Sequence, residues 1–322
     1  MSALFERLRV AGGPAIAVVL YVLLFLVYAS REASAFSVFG ITNLLNDTVV
    51  LAVATAGLTL VVLAGEFDLS GIGVIAIANV VVATTSTGSA GWIGALVAVL
   101  AIGAVVGLLN GWLVAGLGLQ SLAATIGTMI ACEGVALMIL AAPGGEVADV
   151  IANGLTGDIG GVLPVAAVII AGVLVLWFLF ARTRAGIGIY AVGSDENAAR
   201  LSGVNARRTK LVAFVLSGMA YGLAGYLLSA ETGSGDPRAS NTFLLFMYAA
   251  VAIGGTSLMG GRGGVLGSVF GAGILTVMQK MLFALGAASF YTNVFSGMIM
   301  LIAIFVGNIS TFLPRLQRRR AA

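Results

Sequence analysis

The chain has 322 residues, 60% hydrophobic and 9% charged, with 45 glycines and a mean hydropathy of +1.11. A soluble domain carries about 25% charge, so this chain could not cover its own surface in water, and lipid is the solvent that fits. Its formal charge of +3 is no nucleic-acid signal, because the basic residues gather at the edges of apolar runs; with no histidine and one cysteine, Cys132, zinc sites, disulfides and Ser-His-Asp catalysis lose their usual groups.

In chain order, Arg7 and Arg9 precede a first apolar stretch, Pro14 to Ser30. Ala33-Ser34-Ala35 has the form of a signal cleavage site, but many apolar spans follow and the first needs no removal. Asn43, Asn46 and Asp47 mark a loop and a helix start before a second span, Thr48 to Ala64. Gly65-Glu66-Phe67-Asp68-Leu69-Ser70-Gly71-Ile72-Gly73 then interrupts the apolar pattern, and a shorter span resumes from Val74 to Thr85. Two readings of the interruption are open: a short cytoplasmic turn, or a broken helix lining a solute pathway.

Trp92 to Ala115 is a fourth span, containing Asn110, and Leu119 to Ala142 a fifth, containing Thr125, Thr128 and Glu133. An ionised carboxylate inside a span costs several kcal/mol unless paired or hydrated, so Glu133 is either a pathway residue or a structural acid bonded to a neighbour. Pro143 to Pro164 reads as a polar, Gly-rich loop. The sixth, seventh and eighth spans are Val165–Ala181, Leu211–Ala230 and Phe243–Ile253. A glycine-rich stretch from Gly254 to Gly264 leads to the ninth, Val265 to Leu285, and Ser289 to Gly307 is the tenth, before a tail with Arg315, Arg318, Arg319 and Arg320. Gly65, Leu69 and Gly71 recur at the same spacing as Gly254, Leu258 and Gly260, but among 45 glycines this match carries no argument by itself.

Ten crossings put both termini on one side, and thirteen of the sixteen Lys/Arg residues share that side. Seven acids (Glu32, Asp47, Glu146, Asp149, Asp158, Glu231, Asp236) fall opposite. By the positive-inside rule both termini and the 182–210 segment are cytoplasmic.

The sequence contains no GxxxxGK[ST] phosphate cradle, no run of intramembrane arginines and no TVGYG-like filter. Glu66, Asp68, Glu133 and Lys280 are the ionisable groups in or at the edge of spans, and nothing in the sequence pairs them. Neutral polar groups are commoner there: Asn79, Asn110, Thr125, Thr128, Tyr248, Gln279 and Asn293. They suit either hydrogen bonding to a polyhydroxylated solute or hydrogen bonding between helices.

The one long polar segment is Arg182 to Lys210, with six of the sixteen basic residues. Gly193-Ser194-Asp195-Glu196 reads as a turn and a helix start, with Asn197 to Leu201 a short amphipathic helix closed by Ser202-Gly203. Such a helix transmits force only if a partner grips it; the alternative is a solvated loop held by anionic lipid headgroups.

Ala198-Ala199-Arg200-Leu201-Ser202-Gly203 resembles the Ala-Ala-x-x-x-Gly coupling element of ABC importer permeases. The longer string YAVGSDENAARLSGVNARRTKLVAFVLSGMAYGLAG resembles their ribose-type branch, as do GEFDLSGIG at 65–73, NGWLV…LAATIGTM at 110–129 and AIGGTSLMGGRGGVLGS at 252–268. Three places depart from the branch: Asn197 in place of an acid, Ser240-Asn241-Thr242-Phe243 before the GGTS loop, and Gly71-Ile72-Gly73. They bear on whether ribose itself is the solute, not on the transporter assignment.

The resemblance implies an all-α fold in one domain: a polytopic bacterial inner-membrane protein of about ten transmembrane helices, with broken helices and a cytoplasmic coupling helix. It implies a permease that pairs with a second copy or paralogue, a cytoplasmic ATPase that burns the ATP, and an extracytoplasmic solute-binding protein, with no enzyme activity, cofactor or metal in this chain. ATPase coupling would use Gly193, Asp195, Glu196, Ala198, Ala199, Arg200, Gly203 and Arg207, with Arg208 adding charge. The candidate pathway residues are Glu66, Asp68, Asn79, Asn110, Thr125, Thr128, Glu133 and Tyr248. A stand-alone secondary carrier or channel is the other reading the composition allows.

Overall fold

A computed structural model describes residues 2–286 apart from 90, 241 and 242, together with 294, 297 and 298; for residues 2–12 it describes the backbone alone. The expected tenth span apart from 294, 297 and 298, together with Asn293, the arginine-rich tail and the Asn241-Thr242 pair, lies outside the described residues.

Twelve α-helices are described: α1 (Ser2–Ala29), α2 (Val38–Leu63), α3 (Gly71–Thr85), α4 (Gly91–Gly111), α5 (Ser121–Ile139), α6 (Asp149–Thr156), α7 (Val165–Ala181), α8 (Arg184–Ser194), α9 (Glu196–Leu201), α10 (Ala206–Thr232), α11 (Phe243–Ile253) and α12 (Val265–Ala284). A single π turn, Trp112–Gly116, extends α4, and β1 (Asp158–Ile159) pairs antiparallel with β2 (Leu163–Pro164) in a small hairpin. Five of the described helices are long and apolar enough to cross a membrane, or six if α7 and α8, bent by 78° at their junction, count as one span. Gly13–Ala29, α3 and α11 are shorter apolar helices.

The centre of the bundle is α2, buried from Thr48 to Leu63 and packed by α10, α12, α7 and α11. Lipid tails are as apolar as leucine, so burial supplies no drive between these helices, and close backbone approach must supply it instead. The glycines do this. Gly103 and Gly107 on α4 face Gly218 and Phe214 on α10, and a Cβ on Gly103 or Gly218 would overlap the other's carbonyl. Gly222 meets Val99 in the same way, and Gly267 on α12 meets the carbonyl of Gly254.

Two expectations change. The Pro143–Pro164 loop holds α6 and the β-hairpin, because Ile151 buries against Val147 and Tyr226 while the charged positions face outward. The 182–210 segment is less solvated than its composition suggests. Thr183 caps α8 by accepting from Gly186 N–H at 3.1 Å, and α8 buries Ile189 and Val192. Gly193 and Ser194, expected in a turn, are the last residues of α8.

The α4–α10 packing makes a stability prediction. Gly218→Leu should overpack the contact and cost about 1–3 kcal/mol, whereas Gly127→Leu on α5, where a Cβ meets nothing within 4 Å, should change stability by less than about 0.5 kcal/mol. Thermal unfolding of both variants in one detergent, compared with the parent chain, checks the difference.

Candidate functional site

The helix ends at one pole of the bundle meet where three backbones touch. α2 stops at Leu63 because Gly65 turns into the left-handed region, φ +81. The Leu63 carbonyl freed by that stop accepts the N–H of Gly261 at 3.0 Å. Gly193, at the end of α8, packs beneath it, and a Cβ there would overlap the Leu63 carbonyl. A Cβ on Gly260 (φ +88) would lie 2.7 Å from the Gly193 carbonyl oxygen and 2.8 Å from Gly65 Cα. Tyr190 on α8 donates to the Gly263 carbonyl at 2.8 Å. The end of α2, the end of α8 and the 254–264 loop thus form one junction that admits no side chain at its crossing points. The two stretches with matching glycine spacing, at 65 and at 254, lie side by side here.

An ionic knot sits beside the junction. Lys210, one turn into α10, places its ammonium 2.7 Å from Glu66 and 2.6 Å from Glu196, and Glu196 also pairs with Arg200. The hydrogen bond from Lys210 holds the Glu196 carboxyl below its usual range despite partial burial. These four residues, with Arg207, Gln120 and Ser121, line an open cavity of about 320 Å³. Sequence alone left Glu66 unpaired; the fold supplies Lys210. It likewise pairs Lys280 with Asp47 at 2.5 Å.

From an exposed Gly65 and a half-buried Glu66 the chain turns inward, and Asp68 is 1% exposed. The Asp68 carboxylate accepts from Ser70 N–H at 3.0 Å and from the Ser70 hydroxyl at 2.6 Å, while its own N–H donates to the Tyr248 hydroxyl at 3.0 Å. The Ser70 hydroxyl accepts from Asn110 at 2.8 Å, and Asn110 accepts from Thr128 at 2.9 Å. Phe67 N–H donates to Ser121 at 3.2 Å, and the Phe67 ring stacks on Tyr248, centroids 6.0 Å apart. Five candidate pathway residues, Glu66, Asp68, Asn110, Thr128 and Tyr248, therefore belong to one cluster that ties the break to α4, α5 and α11.

The other three stand elsewhere. Thr125 bonds back to its own helix at Ser121, 2.8 Å. Asn79, near the opposite pole, donates to Ser229 at 2.9 Å and accepts from Asp236 N–H at 2.6 Å. Glu133 is half-buried and forms no ion pair among the described residues.

The α9 helix hangs from this junction. Asp195 caps it, accepting from Asn197 N–H at 2.9 Å and Ala198 N–H at 3.0 Å, and Gly203 closes it in the left-handed region, φ +84. Ala199 is buried against Val192 and Ala206, whereas Ala198, Arg200 and Gly203 face outward. Leu201 at its tip is 91% exposed, and Met259 in the adjoining loop is 82% exposed. Neither had been singled out from the sequence. Leu201 was legible in principle, as a large apolar residue flanked by Arg200 and Ser202 in a polar segment, but Met259 sits beside Leu258 in a glycine-rich loop with nothing to mark it.

Residues 40–304 match the family described as branched-chain amino acid transport system / permease component. The chain is similar to the ribose import permease protein of Escherichia coli (strain K12), 34% identical over 281 residues that cover 85% of this chain and 87% of that protein. It is similar to the fructose import permease protein of Rhizobium meliloti, 33% identical over 282 residues covering 84% and 78%. A probable ABC transporter permease protein of Escherichia coli (strain K12) is 32% identical over 295 residues covering 91% and 89%. No solved structure matches the chain. With the family match spanning both the glycine junction and the buried break, the chain belongs to the permease-component family of branched-chain amino acid transport systems.

Proposed function

We propose that this chain is the membrane-spanning permease subunit of a bacterial ATP-driven importer that moves a sugar or similar small polar solute. The single observation that carries the coupling part of the reading is the exposure of Leu201 on a capped helix and of Met259 in the loop of the close-packed junction that holds it. Large apolar side chains held out from a charged surface mark an interaction site. Arg200, Arg207 and Arg208 beside them would steer an acidic partner surface. That partner is a separate ATPase subunit; it grips Gly193 to Gly203, and its ATP-driven closure moves α9.

The pole carrying Arg184, Arg200, Arg207, Arg208, Lys210 and Arg262 faces the cytoplasm under the positive-inside rule, with both termini on that side. Glu146, Asp149, Asp158 and Asp236 at the other pole then face the extracytoplasmic binding protein that delivers solute. A second copy or a paralogue completes the pathway. The relatives named for ribose and fructose import support a monosaccharide as the solute class.

Proteoliposomes containing this chain with its ATPase and binding protein should take up solute only when ATP is supplied on the ATPase side. Flux from the chain alone, driven by an ion gradient, would support the stand-alone carrier and overturn the importer. A thermal-shift screen of the purified binding protein against monosaccharides should raise its midpoint for one of them, since ligand binding stabilises by mass action.

Leu201→Asp should weaken ATPase association by roughly 10- to 100-fold, because burying a leucine contributes about 1.5–3 kcal/mol. Quantitative copurification of the two subunits at matched expression checks it. Gly203→Trp, which breaks the left-handed closure of α9, should leave the permease inserted and abolish uptake.

A further inference from the structure

We propose that Lys210 is the transmission residue of this permease: its ammonium, held at once by Glu196 on α9 and Glu66 in the α2–α3 break, carries displacement of α9 into the buried polar cluster. The proposal rests on the reading of α9 as the partner-docking helix and goes beyond it by naming the link through which that helix acts.

Three observations support it. The two carboxylates belong to elements joined by no direct hydrogen bond among the described residues, and one ammonium bridges them at 2.6 and 2.7 Å. The bridge is mostly shielded from solvent on the inner side, with Lys210 and Glu66 side chains 13% and 16% exposed. An exposed pair contributes little and is screened by salt, but a shielded one holds its geometry. Finally, Glu66 lies two residues before Asp68, and the Phe67, Asp68 and Ser70 amides each donate a hydrogen bond to Ser121, Tyr248 and the Asp68 carboxylate respectively. Moving Glu66 therefore loads contacts on α5 and α11 through a stretch of two residues.

The glycine junction and the ion pair complement each other. Gly193 against Leu63 resists α8 being pushed inward, because the backbones already touch. A contact of this kind cannot pull. Lys210 can, since an ion pair resists separation, and without it the two carboxylates on either side of the ammonium would repel each other.

The test is a double-mutant cycle on the full chain in lipid nanodiscs, read by amide hydrogen exchange. Asp195→Ala removes the α9 cap. In the parent chain it should speed exchange of the Phe67 to Gly71 amides at least fivefold. In the Lys210→Gln background the same cap mutation should change their exchange less than twofold, and Lys210→Arg should restore the response. An equal acceleration in both backgrounds, or none in either, would overturn the proposal. If Lys210→Gln does not fold, Glu66→Gln cuts the same link from the other side and takes its place with the same expected outcomes. The cycle needs neither ATPase nor solute, so its result is independent of the uptake experiment on which the importer reading stands.

Discussion

At Gly65, Gly193 and Gly260 three backbones cross, with no room for a Cβ at Gly193 or Gly260 and a left-handed φ of +81 at Gly65, and one pole of the bundle is built around that crossing. A side chain at Gly193 or Gly260 would separate α2, α8 and the 254–264 loop, and the Gly261 N–H would lose the Leu63 carbonyl. Close approach matters more here than in a soluble protein, because in lipid the helices gain nothing by hiding apolar surface from one another. The same solution recurs along α4 and α10 at Gly103, Gly107, Gly218 and Gly222. The high glycine content is thus the means by which the bundle packs, and the junction is its densest use.

Polar groups follow the same economy. In a medium without water a buried polar atom must find a partner within the protein. Asn110 bridges Ser70 to Thr128, so a single side chain joins the break, α4 and α5. Asn79 joins α3 to α10 and to the turn at Asp236 near the other pole. Where sequence left open whether these residues bond a solute or a neighbouring helix, the geometry gives both of them helix partners. The hydroxyls of Tyr221 and Ser217 differ: both are fully buried beside the Asp68 carboxylate and not on a neighbouring helix's backbone.

The helical class, the apolar stretches and the short helix after Asp195 were legible because each depends on local pattern: long uncharged runs, an acidic cap, a closing glycine. What was not legible depends on distant pairs. Glu66 and Lys210 are separated by four intervening spans, and so no spacing rule joins them. Asp47 and Lys280 are farther apart still. The fold of 184–194 was hidden for a different reason. Its charges suggested an aqueous loop, yet Ile189 packs against α2, α7 and α10 and Val192 against α9 and the start of α10, and eleven residues are too few for the periodicity to stand out beside Arg182 and Arg184.

The length of α3 settles how the break must be treated. Fifteen residues at about 1.5 Å each give roughly 22 Å, short of the ~30 Å hydrocarbon thickness. α11, with eleven residues, reaches about 17 Å. A chain that crosses the bilayer through either helix must therefore carry non-helical backbone at membrane depth, which is tolerated only where protein or a water-filled cavity surrounds it. Both helices adjoin their glycine-rich segments at the same pole, one at its start and one at its end, and those segments touch each other through Gly65 and Gly260. Near-total burial of Asp68 and Ser70 is then a requirement of the crossing, and so is the clamp that α4, α5 and α11 place on them. The two short helices share one set of supports, and α9 joins that set through Gly193 at the end of α8 and through the Glu196–Lys210 ion pair.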